Sequence, residues 1–461
     1  MGRDYRRYSF WLETCGDDLT PRPPLDGSTT ADVAILGAGF TGLWTAYYLL
    51  KRDPSLRVVL LEAEIAGFGA SGRNGGWCFS GFPVSPRRLQ ERYGTEVARS
   101  IVLQMYQSVN EVGRVCQEEQ IDAHYAKTGA LTVARAQHHM RVLEERYEDY
   151  RQLGLEQHYA LLDANQTEEH LRVSRAVGAL LIKEGATIQP ARLARGLART
   201  VERLGATLYE QTRVVRLVPG RPARLVTEQG DVTASVVVVA GEAYLVSLPE
   251  FRRTLIPLTS HIVLTEQLDQ ELWQQIGWER REVVGGLGPM AGYLNKTVDG
   301  RIAFGAYRSV YPFGSRIRDE LDRQEAIFAH ARNAACDWFP QLRGKRFTHA
   351  WGGVFGVPRD RMPTMSFDPR AGIACGFGYT GQGVATANLT GRVLADLITG
   401  TESELTALPM TIHRPRLWEP EPLRWLGITL VRWSLARLER TAEKKGRYPD
   451  KPTLAQRIWQ A

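Results

Sequence analysis

Cysteine is scarce in this chain: its 461 residues include five, Cys15, Cys78, Cys116, Cys336 and Cys375, an odd number without paired spacing. That pattern argues against a disulfide framework or a zinc site and for a reducing compartment. No run of about 18 apolar residues occurs, so no membrane-spanning helix is expected. Arg6 and Arg7 are followed by YSFWLETCGDDLTPRP, which lacks the apolar core of an export signal, so the cytoplasm is the expected location. Internal repeats, low-complexity segments, a Ser-His-Asp arrangement and a paired-carboxylate constellation are all missing, and no metal site is expected.

What is present is ordinary in bulk, with 43% apolar and 24% charged residues. The length suits two interleaved domains better than one simple core. The net charge of +7 is unevenly placed, because residues 411–461 hold 11 Lys and Arg against 5 Asp and Glu. The remainder of the chain is close to neutral.

The most informative segment is ADVAILGAGFTGLWTAYYLLKRDPSLRVVLLE, from Ala31 to Glu62. Val33 to Leu36 reads as a buried parallel strand, and Thr41 to Leu50 as the helix that follows it. Between them Gly37, Gly39 and Gly42 supply a sharp turn, close approach of backbone to a pyrophosphate, and tight helix packing; Ala38, Phe40 and Thr41 complete the turn. Val58 to Leu61 is the second strand. It ends at Glu62, about 20 residues beyond the third glycine, where an acid accepts hydrogen bonds from an adenosine ribose.

Directly afterwards, AEIAGFGASGRNGGW carries five glycines between Gly67 and Gly76. Such a stretch builds no core but lets backbone lie against a ligand, so Ala63, Gly69, Ala70, Ser71, Arg73, Asn74, Gly75 and Gly76 are expected contacts. A second glycine-rich turn, Gly378, Tyr379, Thr380, Gly381, Gln382 and Gly383, opens another helix near the far end of the chain. Together the two turns imply a cofactor long enough to need both ends of the polypeptide. FAD fits that requirement better than NAD.

The chain resembles the D-amino acid oxidase and glycine oxidase superfamily of flavoproteins, including bacterial amine oxidoreductases. The resemblance is carried by SFWLET, by Gly67 to Trp77, by Gly185 to Leu217, and by VVVVAGEAY from Val236 to Tyr244. It continues through YLNKTVDGRIAFGAY from Tyr293 to Tyr307, RDRMP from Arg359 to Pro363, and GYTGQG. It implies FAD, with backbone at Val214 meeting the adenine and GYTGQG beside the pyrimidine edge of the isoalloxazine. Some members attach flavin through a His or Cys, but Trp77 and Cys78 follow the glycine loop here and no attachment residue is recognisable, so the FAD is expected to be non-covalent. Ala240 and Gly241, at the end of an apolar strand, are expected on the ligand side of the sheet. Substrate would lie under a sheet of the second domain and lose a hydride from a carbon bearing nitrogen. The flavin-facing lysine of sarcosine oxidases has its counterpart near Ala303, so oxygen and another electron acceptor both stay open.

Residues His261, Tyr293, Tyr307, Trp351 and Tyr379 are the candidates for the substrate pocket. Arg73 and Arg359 are candidate anion contacts, and Cys78 reads as a small buried residue near the glycine loop rather than a redox group.

The expected fold class is α/β with an α+β substrate domain: a Rossmann-like FAD-binding domain interleaved with a sheet-containing substrate domain, plus a helical tail. The FAD domain is drawn from 31–90, 185–250 and 346–400, and the substrate domain from 91–184 and 251–345. Residues 1–30 read as an arm without regular structure and 401–461 as a basic extension. Pro422 to Arg447 reads as a helix with Leu423, Leu426, Leu430, Ser434 and Leu438 along one side. Its moderate stripe favours packing on protein over peripheral contact with an anionic membrane, and no nucleic-acid motif accompanies it. The sequence thus expects an FAD-dependent oxidoreductase of a small-molecule amine or amino acid. The alternatives are an NAD-dependent dehydrogenase and a flavin-binding regulatory or structural protein without turnover.

Overall fold

The computed structural model describes residues 3–449 and 451–460; residues 1, 2, 450 and 461, within the expected arm and tail, lie outside the described residues. Three short apolar runs set the first sheet. Thr29–Leu36 pairs in parallel with Val58–Leu61 on one side and Asp231–Val239 on the other, so that Val33 lies between Val58 and Val236 and Leu36 between Leu61 and Val239. Thr207–Tyr209 extends the sheet beyond Val58–Leu61, and Ile373–Phe377 followed by the antiparallel Thr364–Asp368 extends the other edge. The helix Phe40–Arg52 is buried along Phe40 to Leu50, as a helix covered on both sides must be. It crosses the helix Gly383–Thr399 at Gly391, where a Cβ would come within 2.6 Å of the Trp44 Cβ.

A second eight-stranded sheet runs in the order Phe347–Pro358, Leu255–Thr265, Ile302–Ala306, Gly292–Lys296, Val283–Gly286, Ala130–Ala134, Gly178–Ile182, Tyr159–Asp163. One face carries Val263, Leu294 and Phe304 and packs on the helix Glu325–Trp338 through Phe328, Ala331 and Trp338. The other face covers the glycine-rich loop that follows Glu62.

Several elements differ from expectation. The arm is not irregular near its start: Tyr5–Tyr8 and Phe10–Glu13 are helical turns, and Tyr5, Phe10, Trp11 and Leu12 are buried. The segment after the helix Pro190–Arg203 forms two strands, Thr207–Tyr209 and Val214–Val218, rather than one continuous strand. The break falls at Glu210, whose buried carboxylate accepts from the backbone N–H groups of Arg22 and Ala66 and pairs with Arg22 and Arg195. The strand Phe347–Pro358, expected with the FAD-binding pieces, pairs along its length with Leu255–Thr265 in the second sheet.

The tail helix runs Leu423–Lys445 and buries Arg424, Ile428, Val431 and Ala442. Ile428 joins Ile256, Leu258, Tyr311, Val357 and Trp418. Leu423, Leu426 and Leu430, expected on the packed side, are exposed together with Trp433. Among the described residues no helix is long and apolar enough to cross a membrane.

Candidate functional site

The first glycine turn leaves no room for side chains. Gly37 sits at φ +98°, and a Cβ there would lie 2.9 Å from the Ala240 carbonyl oxygen. At Gly42 a Cβ would come within 2.0 Å of the Gly37 carbonyl, so strand and helix touch backbone to backbone. The Glu62 carboxylate accepts from the N–H of Ala38 at 2.9 Å and of Glu64 at 3.0 Å. Burial pushes this carboxyl up to about 7, against the pull of those two N–H groups.

The loop beyond Glu62 is held by its carbonyls. Those of Gly72, Arg73 and Asn74 accept from Ser9 Oγ at 2.8 Å, Trp351 Nε1 at 2.9 Å and Trp11 Nε1 at 2.7 Å. Gly75 and Gly76 carbonyls accept from Asn295 Nδ2 at 3.2 and 3.3 Å. Five consecutive acceptors, withdrawn from water by the second sheet and the N-terminal segment, are thereby satisfied by side chains. Arg73 is 3% exposed; its guanidinium donates to Asp322 at 2.6 Å and to the Tyr244 hydroxyl at 2.5 Å, and lies over the Phe68 ring.

The second turn is anchored by a residue that the sequence does not single out. Glu242, at φ +47°, accepts from the N–H groups of Gly378 and Tyr379 at 3.1 Å each and from Gly356 N–H at 2.8 Å. It joins the end of the first sheet, the second sheet and the GYTGQG turn, and burial pushes its carboxyl up to about 7. The Tyr379 hydroxyl is 2.8 Å from Thr41 Oγ1, so the two glycine turns are bonded directly.

These pieces enclose a cavity of about 1220 Å³. Its wall includes Gly37, Gly39, Phe40, Thr41, Glu62 and Ala63, then Gly69, Ala70, Ser71, Arg73, Asn74 and Gly75. Val214, Ala240, Gly241, Tyr379, Thr380, Gly381, Gln382 and Gly383 line it as well. Ala38, Gly42, Gly76 and Gly378 stand behind the wall and shape it through the contacts given above.

At one part of the wall Trp77, Phe79, Tyr293 and Tyr307 form an aromatic row with Ser260, whose Oγ lies 2.6 Å from the Tyr293 hydroxyl. Tyr293 lies over Gly75 and Gly305, where Cβ atoms would come within 2.6 and 1.9 Å of its ring. Those two glycines exist, in effect, to admit the ring. Elsewhere the cavity meets Arg252, Arg253, Arg316, Arg318 and Arg424, interspersed with Asp319 and with Glu421, which pairs with Arg424.

Two of the substrate-pocket candidates are elsewhere. His261 points away from the cavity, fully buried against Phe328, with Nε2 donating to the Leu321 carbonyl at 2.8 Å; strand alternation hands the cavity to its neighbour Ser260. Trp351 lies beneath the loop, edge-on to Trp11, with its N–H spent on Arg73. Tyr379 reaches the cavity with its ring, while its hydroxyl is taken by Thr41. Arg359 pairs with Glu419 and lies over Trp418, outside the cavity wall. Cys78 is fully buried, and burial raises its thiol well above the ordinary range. The sequence held one hint for the missed residues: the aromatic and apolar SFWLET stands out in a polar stretch, and it supplies Ser9 and Trp11.

A glycine-turn nucleotide domain joined through a shared cavity to a sheet-built second domain defines a flavoprotein oxidoreductase. The chain belongs to the FAD dependent oxidoreductase family, whose model matches residues 32–397, and its cofactor is FAD. It is 32% identical to gamma-glutamylputrescine oxidoreductase of Escherichia coli (strain K12), over 88% of this chain and 92% of that one. It is 24% identical to the sarcosine oxidase subunit beta of Rhodobacter capsulatus, over 83% and 88%. Among solved structures, glycine oxidase from Geobacillus kaustophilus superposes with a TM-score of 0.70 at 22% identity, covering 84% of this chain and 99% of that one. L-proline dehydrogenase from P. horikoshii gives 0.67 at 18% identity, covering 84% and 96%.

Proposed function

We propose that this enzyme oxidises a small primary or secondary amine or amino acid at the carbon next to nitrogen, giving an imine that water hydrolyses. The observation that carries the reading is the single cavity joining the first glycine turn to an aromatic wall built by the second sheet. The fit to FAD rests on the cradle itself: positions 37 and 42 exclude a Cβ, and Glu62 stands at the end of the second strand with a half-buried carboxylate on the cavity wall. Gly37, Gly39 and Gly42 with Glu62 would hold the ADP half and Val214 the adenine, while the loop through Gly75 and the turn Tyr379 to Gly383 would hold the flavin. When bound, FAD supplies the two-electron acceptor for the hydride that leaves carbon.

The protein's own residues then have positional tasks. The helix starting at Gly383 directs its positive end toward the cavity and favours negative charge there. The hydroxyl pair of Ser260 and Tyr293 offers polar atoms in an otherwise aromatic wall, suited to orienting a substrate nitrogen. Trp77 and Phe79, both half-buried, would shield one side of the reacting carbon from water and favour an uncharged amine, with the exposed Tyr307 ring at their border. The electrons reach oxygen or another acceptor. The names of the relatives, which include oxidoreductases of glutamylputrescine, sarcosine and glycine, support an amine as substrate.

Anaerobic mixing of the yellow protein with a panel of amines and amino acids tests the proposal. Bleaching of the flavin by at least one of them is expected. A flavin that dithionite reduces but no amine bleaches would reject it in favour of a binding protein without turnover.

A further inference from the structure

Outside the lining of the flavin cavity, the first turn of the helix Gln137–Arg151 meets the tail helix Leu423–Lys445. His138 and His139 are 4% and 3% exposed, with ring centroids 4.3 Å apart. The Nε2 atom of each is buried and has no hydrogen-bond partner. The Glu443 carboxylate reaches in from the tail helix, 3.8 Å from His138 Nε2, and one ligand atom from each of the three residues lies within 4.8 Å of the other two. We propose that His138, His139 and Glu443 form a binding site for a divalent transition-metal ion of the zinc class, which fastens the tail helix to the substrate domain.

Two buried imidazole nitrogens left without partners are costly, and a single cation between them would satisfy both. Two imidazoles and a carboxylate form a ligand set that zinc accepts, with water as the fourth ligand. Zinc–ligand bonds of about 2.0–2.1 Å place tetrahedral donors about 3.3 Å apart, closer than the 3.8 Å now between His138 and Glu443 and than the 4.8 Å within which all three ligand atoms lie. Glu443, 45% exposed in its side chain, has freedom to make up that difference. Space is available because the cluster faces Gly288, where a Cβ would crowd the His139 ring at 3.1 Å.

The surroundings supply an outer layer. Tyr448 packs edge-on against His138 and donates to Glu439, one turn before Glu443 on the same helix. One contact is given up: the Arg135 N–H donates to His139 Nδ1 across 3.4 Å, and ligation through Nε2 puts the ring proton on Nδ1. Adjacent histidines on a helix ordinarily diverge, and Glu443 lies in a distant part of the chain, so the cluster is invisible in the sequence.

The test uses the untagged, full-length holoprotein, stripped with a chelator, incubated with Zn²⁺ or Co²⁺ and desalted. Metal retained in proportion to chain, a visible absorption spectrum of four-coordinate Co²⁺ and a higher melting temperature with Zn²⁺ are expected. Glu443→Gln and His138→Gln should each weaken binding about tenfold or more, and the double change His138→Gln with His139→Gln should abolish it. Full flavin content in the same preparations shows that each variant has folded. Should the double variant not fold, Glu443→Gln decides alone. Failure of the wild type to retain metal, or unchanged retention in Glu443→Gln and His138→Gln, would overturn the proposal. Neither outcome bears on the amine reading, whose readout is the flavin.

Discussion

The hydroxyls of Thr41 and Tyr379, separated by 338 positions in sequence, lie 2.8 Å apart. Thr41 belongs to the turn that opens the helix Phe40–Arg52, and Tyr379 to the turn that opens Gly383–Thr399. Two anion-favouring helix ends are thus locked at a fixed spacing. Tyr379→Phe leaves the Thr41 hydroxyl buried without this partner, which should cost about 1–3 kcal/mol. Denaturant unfolding of the apoprotein measures the loss, and a flavin-release rate equal to that of the wild type would show that the link does not govern cofactor retention.

The indole of Trp351 keeps the Arg73 carbonyl satisfied beneath the loop. Trp351→Phe retains most of the bulk and removes only the N–H, with an expected loss of about 1–3 kcal/mol. Trp11→Phe should act the same way through the Asn74 carbonyl. Because both residues hold neighbouring carbonyls of one loop, the double variant should depart from additivity by about 0.5 kcal/mol or more. Strict additivity in urea titrations would mean that the loop does not respond as a unit.

Glu62 and Glu242 both titrate at about 7 in the folded protein, against an ordinary value of 4.5. The folded apoprotein therefore binds protons between those values that the unfolded chain has released, and these two groups make stability fall as pH rises from about 4.5 to about 7. Their destabilising contribution is complete above pH 7 and absent below 4.5. Glu242→Gln should flatten the slope; melting curves of the apoprotein at a series of pH values, compared between wild type and variant, would expose an unchanged slope.

On the aromatic wall, Tyr293→Phe removes one member of the hydroxyl pair while the ring still fits over Gly75 and Gly305. The Ser260 hydroxyl can then turn to cavity water, so stability should change by less than about 1 kcal/mol. If the pair orients the amine, kcat/KM should drop by roughly tenfold, corresponding to about 1.4 kcal/mol of lost transition-state stabilisation. Unchanged steady-state constants would remove Tyr293 from the substrate site.

Local signals were the legible part of this molecule. The strands around Val33, Val58 and Val236 and the turn at Gly37 to Gly42 are written in contiguous residues whose chemistry admits few other conformations. The second sheet exists as expected, but alternation alone does not say which face of Leu255–Thr265 meets the cavity. Ser260 and His261 are adjacent, and only packing against Phe328 decides between them. Glu242 was unreadable for a different reason: its three partners come from Gly356 and the Gly378–Tyr379 pair, more than 100 positions away. Trp11 and Trp351 likewise acquire their task only when the loop arrives between them.

The bond between Thr41 and Tyr379 also has a consequence in time. A ribosome delivers the first glycine turn early and the second only after most of the chain has been made, and domains form as their last strands arrive. Until Gly383 is available the cavity lacks a wall, so the first glycine turn is made long before the cavity can close. Enclosure of the cavity is therefore a late event of biosynthesis, because it waits for the turn from Gly378 to Gly383 near the far end of the chain.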